Sequence, residues 1–166
     1  MVHAQPPEGK TVVVTVGTTR FDGLIDVVDG VEFQSRLQSL GYTNIVYQIG
    51  RGRRIPAISI LNLFVYDYLD NFCEFIEQAE LIVSHSGAGT LLDVSEYRKP
   101  VIFVVNEDTS ESHQKELTKV LGPNYFASLE TLLDKLDDPI IAPKDVFTKL
   151  LSGDKLRGLI SNLFDD

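Results

Sequence analysis

Short apolar segments of strand length alternate along this chain with longer segments of helical periodicity, and this alternation constrains the fold more than any other feature. Residues 12–16 form a β-branched run that ends at Gly17, and residues 101–105 form a second compact apolar run. Apolar residues at consecutive positions are typical of strands buried on both faces, as in a parallel sheet.

The remaining segments fit the same alternation. The predicted strands are 12–16, 44–49, 58–65, 81–84, 101–105 and 125–127, and the predicted helices are 24–40 with an interruption at Gly30, 69–79, 90–98, one around 117–121, and 129–136. Strands that alternate with helices build βαβ units with right-handed crossovers. The sequence therefore predicts an α/β fold, a Rossmann-like doubly wound and mostly parallel sheet.

The alternation weakens near the C-terminus, where Pro139 and Pro143 interrupt it. We expect residues 1–137 to form the Rossmann-like domain and residues 138–166 to form a helical tail with apolar side chains at helical spacing. This tail is a candidate for docking a partner, and a helix folded back on its own core is an equal alternative.

Composition and charge exclude several classes of protein. The 166 residues suit one domain, and their net charge of −9 argues against a nucleic acid or an anionic membrane as the main partner. The single cysteine, Cys73, cannot form an internal disulfide and fits a reducing compartment. Neither a bilayer-spanning segment nor a signal peptide is visible, so we expect a cytoplasmic protein.

Ligands of doubly wound sheets bind at the carboxyl ends of the strands. Three loops of this chain should lie there, at residues 17–23, 85–90 and 106–114. In the middle loop, Gly87 and Gly89 permit close approach of a ligand to the backbone before a helix begins. Helix N-termini bind anions, so a diphosphate is the expected ligand, with the Ser86 and Thr90 hydroxyls as further donors. A tight strand–helix turn in which the glycines serve packing alone is the alternative.

Other side chains near these loops have both a functional and a structural interpretation. Asp93 could bind a ribose or could simply favour the helix N-terminus, and Gln114 suits sugar hydroxyls. His85 could act as a base or as a phosphate donor, or it could be structural. The remaining candidates are Thr18 and Thr19 after Gly17, which could meet the same phosphates or form an ordinary turn, His113, and the basic cluster Arg51, Arg53 and Arg54, which is either a solvated loop or a phosphate or partner contact.

Several common sites do not fit the sequence. It contains no G-x-G-x-x-G and no Gly-Lys-Ser/Thr, which disfavours dinucleotide-binding and P-loop sites. The absence of a Cys pair or a His-x-x-x-His spacing argues against a metal site, so we expect neither a metal nor another cofactor.

Taken together, five motifs resemble one family. They are Val13-Val14-Thr15-Val16-Gly17-Thr18-Thr19 with Phe21-Asp22, Gln48-Ile49-Gly50-Arg51-Gly52, Ser84-His85-Ser86-Gly87-Ala88-Gly89-Thr90, Val104-Val105-Asn106-Glu107, and His113-Gln114. From about residue 11 to residue 136, the chain is similar to the donor-binding, catalytic subunits of the eukaryotic UDP-N-acetylglucosamine transferases that add the second GlcNAc to dolichyl-diphosphate-GlcNAc. These subunits are in turn similar to the C-terminal half of GT-B glycosyltransferases.

The resemblance implies a role for each part of the site. Residues 85–90 would bind the UDP diphosphate, Asp93 the ribose and Gln114 the sugar. The full set of donor-site residues is then Gly17, Thr18, Thr19, Ser86, Gly87, Ala88, Gly89, Thr90, Asp93, Asn106, Glu107, His113 and Gln114, with His85 as the candidate base. The family usually has Glu at the position of Asp93, and the loop 108–112 also departs from the family pattern.

The resemblance also implies a partner. A GT-B enzyme needs two Rossmann-like halves, and in this family the acceptor-binding half is a separate membrane-anchored subunit at the cytosolic face of the endoplasmic reticulum. The expected reaction is transfer of GlcNAc from UDP-GlcNAc to the lipid-linked acceptor with inversion, and the general base could belong to either subunit. A UDP-sugar-binding module without turnover is the second hypothesis, and a nicotinamide-dependent oxidoreductase is a third that the glycine pattern disfavours.

Overall fold

The computed structural model describes residues 4–106, 117–118 and 121–141. Its centre is one seven-stranded sheet in the order β3-β2-β1-β4-β5-β6, in which each pair along this path is parallel and β7 pairs antiparallel with β5. The strands are β1 (Thr11–Thr15), β2 (Asn44–Gln48), β3 (Asn62–Tyr66), β4 (Leu81–His85), β5 (Pro100–Val104), β6 (Phe126–Ala127) and β7 (Ile140–Ile141). This order confirms the predicted doubly wound fold.

Helices cover both faces of the sheet. Among the described residues they are α1 (Asp22–Val28), α2 (Val31–Ser39), α3 (Phe72–Gln78), α4 (Ala88–Glu96) and α5 (Leu132–Lys135), with a 3₁₀ turn at Pro123–Tyr125. The predicted helix around 117–121 lies partly outside the described residues and stays a prediction. Side chains of α1, α2 and α5 share one core cluster with one face of the sheet, and those of α3 and α4 share a second cluster with the other face. Gly30 separates α1 from α2, as the sequence indicated, and none of these helices is long enough to cross a bilayer.

The central strands are buried as the apolar runs predict. Every residue of β1 and of β2 is buried, whereas β3 at the edge of the sheet is only partly covered. The predicted start of the third strand at residue 58 is wrong. The backbone N–H groups of Ile58 and Ile60 donate to side chains of Asp29 and Gln34 instead of to a neighbouring strand, so β3 begins only at Asn62.

The connection from β2 to β3, residues 49–61, contains no helix and is here called the β2–β3 loop. An irregular loop of this length needs partners for its backbone N–H groups. Backbone carbonyls accept from the N–H groups of residues 49–52. Farther along the loop three side chains accept: Asp22 from Arg53 and Arg54, Asp29 from Ala57 and Ile58, and Gln34 from Ile60 and Leu61. The loop therefore runs from the carboxyl edge of the sheet back over α1 and α2 as a fixed structure.

Asp29 gives the clearest test of this arrangement. Its carboxylate is 2% exposed and accepts from two backbone N–H groups and from the Arg54 guanidinium. Replacing Asp29 with Ala leaves these donors without an acceptor, so we expect the free energy of unfolding in urea to fall by about 2–4 kcal/mol.

Asp26→Ala is the matched control for this variant. Asp26 contacts the same Arg54 guanidinium, but its side chain is 60% exposed. Its loss should cost at most about 1 kcal/mol, because exposed ion pairs contribute little. Equal effects of the two substitutions would show that the buried hydrogen bonds do not hold the loop.

The segment predicted to be a helical tail begins with a strand instead of a helix. Residues 138–141 are not helical, since Ile140 and Ile141 form β7 and pair with Val101 and Pro100 of β5. The sheet therefore extends past the predicted boundary at residue 137. Residues 142–166 lie outside the described residues, so the helical tail and its role in docking stay predictions.

Candidate donor-binding site

The strand order places the candidate site at the middle of the sheet. β1 and β4 are neighbours, with Thr15 opposite Ser84, and the chain leaves β1 toward α1 on one face and β4 toward α4 on the other. Such a reversal opens a crevice at the carboxyl ends of the two strands, where doubly wound folds bind their ligands. The loop 16–21 after β1 and the turn at Ser86 and Gly87 after β4 border this crevice.

The loop after β1 turns sharply at Gly17, whose φ of +61° lies in the left-handed region. The Gly17 N–H donates to the Thr15 hydroxyl at 2.9 Å, and the Thr19 hydroxyl donates to the Val16 carbonyl at 2.7 Å. These bonds fix the loop and leave Thr18 and Thr19 exposed at the crevice.

A glutamine that the sequence reasoning gave no role supports this loop. Gln48 is 2% exposed, and its side-chain amide donates to the Thr15 hydroxyl at 3.1 Å and to the Gly17 carbonyl at 3.4 Å. Its carbonyl oxygen accepts from the Leu69 N–H at 3.0 Å. The signal in the sequence was an amide at the C-terminal end of a strand whose middle residues are apolar, because a buried amide of this kind needs several partners.

His85 lies between the two glycines that border the crevice. A Cβ on Gly17 would lie 2.8 Å from His85 Cε1, and a Cβ on Gly87 would lie 2.4 Å from His85 Nε2. A side chain at either glycine would therefore collide with the imidazole ring in its present position. This refines the expectation that Gly87 serves close approach of a ligand, since its missing side chain makes room for His85.

Helix α4 presents its N-terminus to the same crevice. Gly87 is the N-cap residue, and within the described part of the chain no side chain caps the helix. The first hydrogen bond between the cap and the helix runs from the Leu91 N–H to the Gly87 carbonyl at 3.1 Å, which leaves the N–H groups of Ala88, Gly89 and Thr90 as the first turn. Such a turn is suited to an anion.

The hydroxyl groups near this turn differ in their surroundings. The Ser86 hydroxyl is buried and donates to the Val104 carbonyl of β5 at 3.2 Å, so its hydrogen bond holds the turn against the sheet. Thr90 is 7% exposed in the first turn of α4. The Ser86 and Thr90 hydroxyls were both predicted as phosphate donors. The Ser86 hydroxyl has a structural partner, so Thr90 stays the candidate.

Asp93 lies one helical turn beyond Thr90 and is half-buried. Burial raises the pKa of its carboxyl group, and the negative charge of Glu96 raises it further. The Cys73 thiol on α3 lies near Asp93. Partial burial raises the pKa of this thiol, and the negative charge of Asp93 raises it further. A half-buried carboxylate beside another acid gains from a neutral donor such as a ribose hydroxyl, because a hydrogen bond stabilises its charge.

We expect Asp93→Asn to stabilise the fold at neutral pH. Because the carboxyl pKa is higher in the folded than in the unfolded chain, the wild type loses stability as the pH rises through the folded pKa. The gain from asparagine should be present at pH 7 and vanish below the ordinary aspartate value of 3.8. Urea unfolding of both proteins across this pH range measures it, and a destabilised Asn variant at pH 7 would mean that the carboxylate has a stabilising partner.

The remaining predicted residues are only partly placed. Asn106 follows β5 and is half-buried, next in sheet order to the end of β4. Glu107, His113 and Gln114 lie outside the described residues, so their roles stay predictions. Within residues 4–106, 117–118 and 121–141, no group of three His, Cys, Asp or Glu side chains is arranged to hold a metal ion.

Residues 11–141 match the sequence profile of the glycosyltransferase family 28 C-terminal domain. The chain belongs to this family. The family 28 domain is 44% identical over 115 residues to the human UDP-N-acetylglucosamine transferase subunit ALG13, a match that covers 68% of this chain and 10% of the human protein. It is 31% identical to the Kluyveromyces lactis subunit of the same name, with 77% of this chain and 85% of that protein covered.

Two solved structures share the fold of this family 28 domain. A solution NMR structure of ALG13 superposes with a TM-score of 0.61 at 21% identity, covering 87% of this chain and 96% of that one. Acinetobacter baumannii MurG superposes with a TM-score of 0.58 at 19% identity, covering 89% of this chain and 43% of MurG. The family 28 domain therefore has the fold of one part of MurG, which is a longer protein. Its match to human ALG13 covers a tenth of that protein.

Proposed function

We propose that this chain is the donor-binding subunit of a UDP-N-acetylglucosamine transferase, which moves GlcNAc from UDP-GlcNAc to dolichyl-diphosphate-GlcNAc. The observation that supports this most is the crevice between β1 and β4, where the Gly17 loop meets the N-terminus of α4. Relatives with 44% and 31% identity carry the name UDP-N-acetylglucosamine transferase subunit. A diphosphate in the crevice is the ligand that the geometry fits best.

The residues have distinct roles in the proposed reaction. The bond between the sugar C1 and the UDP β-phosphate oxygen breaks, a bond from C1 to an acceptor hydroxyl oxygen forms, and the hydroxyl proton passes to a base. Negative charge then builds on the departing diphosphate. The N–H groups of residues 88–90 and the Thr90 hydroxyl would stabilise that charge with dipoles that are already oriented.

Two other residues position the donor in this proposal. Asp93 accepts hydrogen bonds from the ribose hydroxyls. His85 fixes the spacing between the Gly17 loop and Gly87, and it is also our candidate for the general base. Such a base typically contributes about 10²–10⁴-fold to the rate.

The proposal includes a partner subunit. The structure supplies one Rossmann-like unit, whereas MurG, whose fold it shares, is more than twice as long. We propose that a membrane-anchored subunit at the cytosolic face of the endoplasmic reticulum supplies the acceptor-binding half. Of the predicted tail 138–166, residues 142–166 beyond β7 stay the candidate docking element.

A transfer assay tests the proposal directly. The purified chain is mixed with membranes that contain the anchored subunit, and transfer of labelled GlcNAc to the lipid acceptor is followed with and without the chain. We expect transfer only when both components are present. Substantial transfer by the isolated chain would contradict the need for a partner, and UDP-GlcNAc binding without transfer in the mixture would support a sugar-nucleotide-binding module instead. Binding of NADH but not of UDP-GlcNAc would support an oxidoreductase.

A further inference from the structure

The β2–β3 loop contains the three arginines that the donor site does not use. Its backbone is held in place by Asp22, whose carboxylate accepts from the N–H of Arg53 at 2.9 Å and of Arg54 at 3.2 Å. Burial tends to raise the pKa of Asp22, but hydrogen bonds from the Arg54 and Arg53 backbone and from the Arg20 side chain outweigh it and keep the pKa below the usual value. Asp22 is thus ionised at neutral pH and fixes this part of the loop.

The exposed side chains of this fixed segment differ in their contacts. Arg54 turns toward the protein, where its guanidinium contacts Asp26 at 2.5 Å and Asp29 at 3.3 Å, and Pro56 is buried. Arg51, Arg53 and Ile55 are exposed, and we call these three residues the arginine–isoleucine row. Within the described part of the chain, Arg51 and Arg53 form no ion pair.

Ile55 makes this row unlike an ordinary solvated loop. It is 66% exposed, more than Val31, Tyr68 or Ile141, the other large apolar side chains that the described residues expose. An exposed branched apolar side chain next to cations matches the two layers of a lipid interface. Guanidinium groups bind lipid phosphates there, and an apolar side chain enters the acyl boundary.

The net charge of the whole chain decides which part of its surface can approach an anionic membrane. A net charge of −9 repels an anionic surface from most orientations, so binding depends on a local excess of positive charge. Arg51 and Arg53 are the positive charges available for this, since the third arginine of the cluster is paired with both Asp26 and Asp29. Only this part of the loop then approaches the surface.

We propose that the arginine–isoleucine row docks the protein on an anionic lipid surface, with Arg51 and Arg53 on lipid phosphates and Ile55 in the acyl boundary. The row follows Gly50, whose neighbours include the carbonyl oxygens of Gly17 and Thr19. Docking therefore places the loop after β1 next to the lipid. Binding of this kind needs neither nucleotide sugar nor turnover, so it stands apart from the proposed transferase activity.

Sedimentation of the full chain with vesicles tests the docking. We expect binding to vesicles of phosphatidylcholine and phosphatidylserine, weaker binding as the salt concentration rises, and no binding to phosphatidylcholine alone. The double variant Arg51→Ala/Arg53→Ala should lower the partition coefficient about 20-fold, as expected for two arginines at an anionic surface. Ile55→Ser should lower it about fivefold with an unchanged salt dependence.

The matched control is Arg36→Ala/Arg98→Ala, which removes the same charge. Arg36 lies in the last turn of α2 and Arg98 follows α4, so both lie toward the opposite edge of the sheet. The control should bind vesicles like the wild type. Equal losses in both double variants, unchanged binding of the Arg51→Ala/Arg53→Ala variant, or no vesicle binding by the wild type would each overturn the proposal. Binding to polyglutamate serves as a second assay. If the Arg51→Ala/Arg53→Ala variant lost binding to polyglutamate but bound vesicles like the wild type, the proposal would be overturned and the row would be assigned to an acidic protein.

Discussion

Replacing Gly87 with valine is expected to reduce GlcNAc transfer in the reconstituted assay by more than about 100-fold. A Cβ at this position would lie 2.4 Å from His85 Nε2 and 2.6 Å from His85 Cε1. Gly17 also lies close to this ring, since a Cβ on Gly17 would lie 2.8 Å from His85 Cε1. The imidazole must therefore shift, toward the crevice or against the Gly17 loop, and either shift would disturb the proposed diphosphate site at the first turn of α4.

Gly89→Ala is the control for the folding of this variant. Gly89 lies two residues further along, in the first turn of α4, and a Cβ there would have nothing within 4 Å. Alanine should leave the melting temperature unchanged or raise it, since glycine disfavours helix by about 1 kcal/mol relative to alanine. Normal transfer by the Gly87→Val protein would show that the His85 ring and its two glycines do not shape the donor site.

Gly50→Ala is expected to cost about 3 kcal/mol or more in the free energy of unfolding. Its φ is +57°, and a Cβ would lie 2.3 Å from the Thr19 carbonyl oxygen and 2.8 Å from that of Gly17. Both neighbours are backbone atoms of the loop after β1, so the clash cannot be relieved by a side-chain rotation. The same substitution should weaken UDP binding, because the loop that moves borders the crevice.

Gly41→Ala separates the clash from the backbone strain. Gly41 also has a positive φ, of +85°, but a Cβ there would meet nothing within 4 Å. Its cost should stay near the 1–2 kcal/mol of a left-handed conformation in a non-glycine residue. Urea unfolding of both variants makes the comparison, and equal costs would mean that the approach of the two loops contributes nothing to stability.

The predicted fold followed from local pattern alone. The buried β-branched run before Gly17 and the strand–glycine–helix sequence at residues 81–96 depend on periodicity and turn chemistry, which neighbouring residues reveal. The helix that spans 24–40 was correctly expected to break at Gly30. These features are determined within a few residues of sequence, and the structure confirmed them.

The β2–β3 loop was not predicted, because it depends on contacts distant in sequence. The apolar side chains before Asn62 indicated a strand, but Asp29 and Gln34 bind the backbone there from α1 and α2. A polar residue on a helix gives no sign of which distant N–H it will accept from.

The candidate site shows the same limit. Gly87 was expected near the ligand, and its need to accommodate the His85 ring became visible only when β1 and β4 lay side by side. The Ser86 hydroxyl points to β5, a partner that the motif does not reveal. The sequence thus predicts which loops border the candidate site, whereas the contacts that shape this region depend on the packed strands.

The central claim is that the first turn of α4 and the loop after β1 together bind a diphosphate. Titrating UDP into the labelled chain and following its backbone amide resonances by NMR tests this most directly. We expect the largest shifts at residues 17–19 and 86–90. Thr90→Val should weaken binding about tenfold, because it removes a hydroxyl donor to a charged group, while Ser95→Ala, which removes a buried hydroxyl bonded to the Leu91 carbonyl in the same helix, should leave affinity unchanged. Shifts confined to other parts of the sheet, or equal affinities for wild type and Thr90→Val, would contradict the account.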